Sequence, residues 1–135
     1  MKAVIDTNVF VSGVFWKGPP REVLAAWERH AFQWVVSNPV LDEYRRVLAE
    51  LGAKYPDVKY DRILELVTVH AEAVSAIQFA RPVCKDPDDD KFLGTALSAG
   101  AQFVVTGDKL LLAVDGFRGL RVVPPKTFLK VIASP

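Results

Sequence analysis

A chain of 135 residues, half of them hydrophobic, is long enough to bury one sizeable core, so a single domain over residues 1–135 is expected. Seventeen Lys and Arg against sixteen Asp and Glu leave a formal charge of +1, which excludes a global positive field as the means of gripping a polyanion. One cysteine, Cys84, excludes an internal disulfide, and the absence of a leader pattern or an apolar run of about 20 residues predicts a soluble, cytoplasmic protein.

In chain order, Lys2 to Ile5 read as a short strand that stops at Asp6, Thr7 and Asn8, with Trp16 in the loop that follows. Gly18-Pro19-Pro20 leads into a helix from about Arg21 to His30, with Val23, Leu24 and Trp27 on one stripe, and then a strand near Phe32 to Val36. Ser37-Asn38-Pro39 starts a helix whose buried face carries Val40, Leu41, Tyr44, Val47, Leu48 and Leu51 and which closes at Gly52. A third helix is expected from about Tyr60 to Glu72 and a strand from Val74 to Gln78. The polar run "RPVCKDPDDD" precedes a helix that buries Phe92, Leu93, Ala96 and Leu97 and closes at Gly100. "QFVVT" is the clearest strand, and a short strand near Arg121 to Val123 and a helix after Pro124-Pro125 finish the chain. This alternation predicts an α/β fold: a three-layer α/β/α sandwich around a parallel sheet of four or five strands.

Ligands of open parallel sheets sit outside the carboxyl ends of the strands. Asp6 follows the first strand, Asp108 follows "QFVVT" within "TGDK", and Asp89 or Asp90 opens a helix beside the same edge. Glu43 lies roughly 40° around its helix from Val47 at ~100° per residue, at the border of the buried stripe and able to face a cleft. Taken singly, each acid has a plainer reading. Asp6 and Asp108 suit turns, Asp88 or Asp89 suits a helix cap, and Glu43 suits an ion pair with Arg46 at i,i+3. Jointly they fall at one end of one sheet, which turn chemistry does not require.

Carboxylates gathered at one cavity repel, and retain protons, unless a cation lies among them. An all-oxygen donor set without a Cys or His cluster suits Mg²⁺ or Mn²⁺ rather than zinc. The chemistry that such ions serve best is phosphodiester hydrolysis.

The motifs "VIDTNVFVSGVF", "VVSNPVLDEYRRVL", "KDPDDDKFLGTAL" and "AQFVVTGDKLLL" stand in the order of those of the PIN-domain metal-dependent ribonucleases, which this chain resembles over nearly its whole length. Many of that family are toxins of bacterial toxin–antitoxin pairs. The resemblance implies an acidic metal-binding and catalytic set of Asp6, Glu43, Asp89 and Asp108, with Asp90 the alternative third acid and Asn8, Ser37 and Thr106 as hydrogen-bonding neighbours. It implies Mg²⁺ or Mn²⁺ as cofactor, single-stranded RNA as substrate, an antitoxin protein as a partner and a homodimer. At Leu110 the chain departs from the "TGDKDLL" frequent in related sequences.

Other classes fail at particular residues. An aspartyl-nucleophile phosphotransferase needs an acid where Asn8 stands. A calcium loop starting at Asp86 needs Gly and Glu where Lys91 and Leu97 stand. No phosphate-cradling GxxxxGK[ST] stretch occurs. His30, His70 and Cys84 have no spaced partners and read as bystanders, whereas Trp16 could stack on a base, and Lys17, Arg21, Arg45 and Arg46 could form either a basic rim or an ordinary solvated surface.

Overall fold

Ala3, Val4 and Ile5 are all fully buried, as expected of a strand covered on both faces, and so are Val35, Val36, Val104 and Val105. The computed structural model, which describes residues 1–133, joins these runs into one parallel sheet. Its strands β1 (Lys2–Ile5), β2 (Gln33–Val36), β3 (Glu72–Ala73), β4 (Phe103–Val105) and β5 (Arg121–Val123) lie in the order β3-β2-β1-β4-β5. Helices α1 (Thr7–Phe15), α2 (Pro19–Glu28), α3 (Asn38–Lys54), α4 (Asp61–His70), α5 (Asp90–Ala99), α6 (Lys109–Leu112) and α7 (Pro125–Ala133) complete the three-layer α/β/α sandwich read from the sequence. Among the described residues no helix is long and apolar enough to cross a membrane.

Aromatic side chains weld the layers. Trp34 meets Phe10 of α1 at 5.0 Å and Trp27 of α2 at 5.2 Å between ring centroids, and Phe128 of α7 meets Phe32 at 5.0 Å and Phe103 at 5.5 Å. Edge-on contacts at these distances are the favoured aromatic geometry. Helix α5 packs against β1, β2 and β4.

The strand order fixes where a ligand belongs. From β1 the chain steps to β2 and β3, then returns across the sheet to β4 and β5, so the direction of winding reverses between β1 and β4. A crevice opens at that reversal, outside the carboxyl ends of the strands. Asp6 ends β1 there, its N–H donating to the Val105 carbonyl of β4 at 2.9 Å.

Several elements differ from the sequence expectation. The stretch after β1 is helix α1 rather than a loop; Thr7, Val9, Phe10, Val11, Gly13 and Phe15 are all buried, so no one-sided stripe announces it. The expected strand Val74–Gln78 is absent: β3 is the two residues Glu72–Ala73, and the chain then turns onto α5, where the Ile77 N–H donates to the Gly94 carbonyl at 3.1 Å. Gly94 permits that approach, since a Cβ there would stand 2.2 Å from the Ile77 carbonyl oxygen. Correspondingly α4 ends at His70, two residues short of Glu72. Helix α2 occupies Pro19–Glu28 rather than Arg21 to His30, and α3 runs through Gly52 to Lys54.

Candidate active site

Each acid is delivered by a different element. Asp6 begins α1 and is only 5% exposed, and its carbonyl accepts the first helical bonds from Val9 and Phe10 while its side chain makes no capping bond. Instead the Thr106 hydroxyl, at the end of β4, donates to Asp6 Oδ2 at 2.6 Å. The same hydroxyl accepts the Asp108 N–H at 3.0 Å, tying the loop after β4 to the end of β1. The side chain of Asp6 is thus held from β4 rather than spent on a helix cap. For Asp108 the turn reading holds, since its Oδ1 accepts the Leu110 N–H at 2.9 Å and starts α6.

Two neighbours in the acidic run have opposite fates. Asp90 is spent on structure, its two carboxylate oxygens accepting the N–H groups of Cys84 at 2.7 Å and Val83 at 3.0 Å. Asp89, one residue earlier, makes no capping bond, and its Oδ2 is buried with no hydrogen-bond partner among the described residues. An unpaired buried carboxylate oxygen is costly, and natural structures keep few of them. Burial, followed by the charges of Asp6 and Asp108, pushes the Asp89 carboxyl up to about 6. Burial also raises Asp6, helped by the charges of Glu43 and Asp108 and opposed by the Thr106 bond. The acids thus feel one another across the crevice.

Glu43 reaches the same region from α3. It accepts from Thr7 of α1 and from Lys91 of α5, whose Nζ stands 2.8 Å from Glu43 Oε1 and 2.9 Å from Asp88 Oδ2. The Lys91 and Glu43 side chains are only 14% and 15% exposed, whereas Arg46, the partner expected on sequence grounds, lies 3.9 Å away and is 61% exposed. Burial opposes the Lys91 charge, but its bonds to Glu43 and Asp88 prevail and hold its pKa above the ordinary lysine value. The same Lys91 bond lowers Asp88.

The strand end beneath the acids is braced. Tyr44 is fully buried and donates its hydroxyl to the Ile5 carbonyl, while accepting Trp34 Nε1–H at 3.2 Å. Ser37 pairs with Thr95 at 2.8 Å rather than with an acid, and Asn8 is exposed with no hydrogen-bond partner among the described residues. Of the expected rim, Arg21 binds the carbonyls of Gly13 and Val14, Arg45 pairs with Asp42 and Arg46 with Glu50. Trp16 is 47% exposed and packs edge-on to Tyr55. Burial and Asp90 push the Cys84 thiol up to about 12, so it stays protonated and unreactive.

Two concavities frame the alternatives. One, about 830 Å³, is lined by Met1, Trp27, His30, Phe32, Arg62 and His70. It lies at the amino ends of β1 and β2, away from the acids and on the wrong side of the sheet for the topological crevice. The other, about 530 Å³, includes Asp108 and lies at the carboxyl end.

Residues 2–110 match the sequence profile described as the PIN domain. The chain belongs to the PIN-domain family. It is also 33% identical over 143 aligned residues to the uncharacterized protein MJ1680 of Methanocaldococcus jannaschii, covering 96% of this chain and 90% of that relative. PIN domains are generally nucleases and generally use divalent metal ions. The donors here suit such an ion chemically: hard carboxylate oxygens, one of them buried and unpartnered. Among the described residues no three Asp, Glu, His or Cys side chains are already drawn together as a finished cage.

Two contributors to this PIN-domain site were missed at the sequence level. Thr7 contacts Glu43 only because α1 is a helix, and nothing in its own spacing marks it. Lys91 left a fainter signal, standing three residues after Asp88 within the acidic run, a helical spacing at which opposite charges meet.

Proposed function

We propose that this PIN domain is a Mg²⁺- or Mn²⁺-dependent endoribonuclease that hydrolyses phosphodiester bonds of single-stranded RNA. The observation that carries the proposal is the buried, unpartnered Asp89 Oδ2 under the charges of Asp6 and Asp108. Asp6, Asp89, Asp108 and Glu43 would hold the ion. A divalent ion, when bound, supplies activation of water and neutralisation of phosphate charge. The chain's own groups do the positioning: the Thr106 hydroxyl fixes the Asp6 carboxylate, the Leu110 N–H fixes Asp108, and Lys91 and Thr7 fix Glu43. Holding groups in place beforehand spares their reorganisation during reaction.

The physiological setting we propose is a cytoplasmic homodimer acting as the toxin of a toxin–antitoxin pair, with an antitoxin segment covering the crevice. A second reading, a non-catalytic RNA-binding or assembly module, is favoured by one observation: Lys91 already neutralises Glu43 without any ion. RNA cleavage in Mn²⁺ and in chelator, by wild type and by Asp6→Asn, separates the two. Metal-dependent cleavage lost in the variant supports the nuclease. Wild type that binds RNA without cutting it under any divalent ion supports the module. Growth arrest on expression, relieved by Asp6→Asn, tests the toxin role, and the mass in solution tests the dimer.

A further inference from the structure

The groove of about 530 Å³ beside Asp108 has a character of its own. Its walls come from the start of α1, the start of α2, the loop after β4 and the start of α7, so it opens at the carboxyl ends of β1, β4 and β5. Four prolines, Pro19, Pro20, Pro124 and Pro125, line it, and their locked rings make rigid apolar walls. The polar side chains of Asn8, Ser12, Asp108 and Lys126 interrupt those walls, and the Asn8 amide and the Lys126 ammonium have no hydrogen bond or ion pair within the described residues. Its size falls within the roughly 300–1,000 Å³ of small-ligand sites, and apolar walls with a few polar groups are their usual make-up.

We propose that this groove holds the nucleoside next to the scissile phosphate, with the base between the proline walls, the Asn8 amide on the base edge and Lys126 on an adjoining phosphate. This rests on the nuclease reading and adds the element that would select the cut site. Three observations point to that occupant. The groove includes Asp108, one of the four acids, so it adjoins them. An exposed side-chain amide carries both donors and an acceptor, which suits the mixed pattern of a base edge. Lys126 supplies a cation without an ion pair among the described residues, complementary to a phosphodiester.

The test is titration of ¹⁵N-labelled protein, in chelator, with each of the four ribonucleoside 5′-monophosphates, alongside RNA cleavage in Mn²⁺. Amide shifts clustered at Asn8, Ser12, Gly107 and Lys126 are expected. Lys126→Ala should weaken nucleotide binding at least about fivefold, with Lys126→Glu weaker still, and both should raise KM for RNA while keeping kcat. Asn8→Leu should flatten the differences among the four nucleotides and change which nucleotide flanks the mapped cut. Wild type that cleaves RNA without groove shifts, or Lys126 variants with unchanged KM and cut sites, would overturn the groove assignment and leave the nuclease reading intact. Shifts that grow with protein concentration alone would give the groove to a second copy of the chain and equally overturn it. Wild type that cuts no RNA overturns the nuclease reading, and the substrate role of the groove with it.

Discussion

The acidic crevice has two halves that meet their charge differently. On the α3–α5 side, Glu43 and Asp88 share the ammonium of Lys91, and Glu43 has Thr7 as well. On the other side, at the ends of β1 and β4 and the start of α5, Asp6 accepts the Thr106 hydroxyl and Asp108 the Leu110 N–H, while Asp89 Oδ2 has no hydrogen-bond partner among the described residues. The first half is finished as folded. In the second, the Asp6 and Asp89 carboxyls are held at raised pKa, a cost to the folded state that a bound cation would remove. Compensation marks the half whose charges are balanced by the chain itself, and its lack marks the half whose repulsion a bound cation would relieve most.

The largest expected effect is on the uncompensated half. Asp6→Asn keeps an acceptor for the Thr106 hydroxyl but removes a negative charge, so RNA cleavage should fall on the order of a thousandfold. The metal-free melting temperature should rise, because one member of a repelling group is neutral. Near wild-type cleavage by the variant would assign Asp6 to structure and erase the distinction between the halves.

The compensated half should respond in stability instead. Lys91→Met leaves Glu43 largely buried without its cation, and a loss of about 1–3 kcal/mol is expected in metal-free denaturation. Added Mn²⁺ should restore more stability to this variant than it gives wild type. A variant as stable as wild type in chelator would show that Lys91 compensates nothing.

What was legible in the sequence follows the same division. β1 and β4 are doubly covered, so their unbroken apolar runs identify them without any partner, and the acids that end them inherit a definite address. The edge strand β3 has two residues, and its successor Val74 to Gln78 leaves the sheet for Gly94, an approach that depends on tertiary packing rather than local pattern. Helix α1 is buried on most of its surface, so periodicity was silent there, and with it went the Thr7 contact to Glu43. The choice of Asp89 over Asp90 rests on the family resemblance and not on local spacing. Both stand in "DDD", and only the fold commits Asp90 to the Val83 and Cys84 amides.

A subtler difference between the halves lies in pH dependence. Asp89 titrates at about 6 in the folded protein against 3.8 ordinarily, so between those values the native state binds the extra proton. The penalty from its ionisation is fully present above pH 6 and is relieved as pH falls toward 3.8, so this group adds stability on acidification. Asp88, lowered by Lys91, acts in the opposite sense and loses its stabilisation as pH falls. In chelator, the melting temperature of Asp89→Asn relative to wild type should therefore be highest near pH 7 and decline toward pH 4. A difference independent of pH would mean that Asp89 is not strained by its neighbours.

The smallest expected effect discriminates between two partners for Glu43. Arg46 stands at i,i+3, but at 3.9 Å and well exposed, and its closer bond is to Glu50 at 3.1 Å. Exposed pairs of this kind pay side-chain entropy and are screened by salt, so Arg46→Gln should cost under about 0.5 kcal/mol, and less at high salt. Lys91→Met, acting on the buried side of the same carboxylate, should keep most of its effect at high salt because little solvent reaches that pair. Equal losses from the two variants, equally erased by salt, would mean that Glu43 is an ordinary surface acid of α3. Its place in the crevice would then rest on Thr7 alone, and the compensated half of the site would have to be redrawn around Asp88.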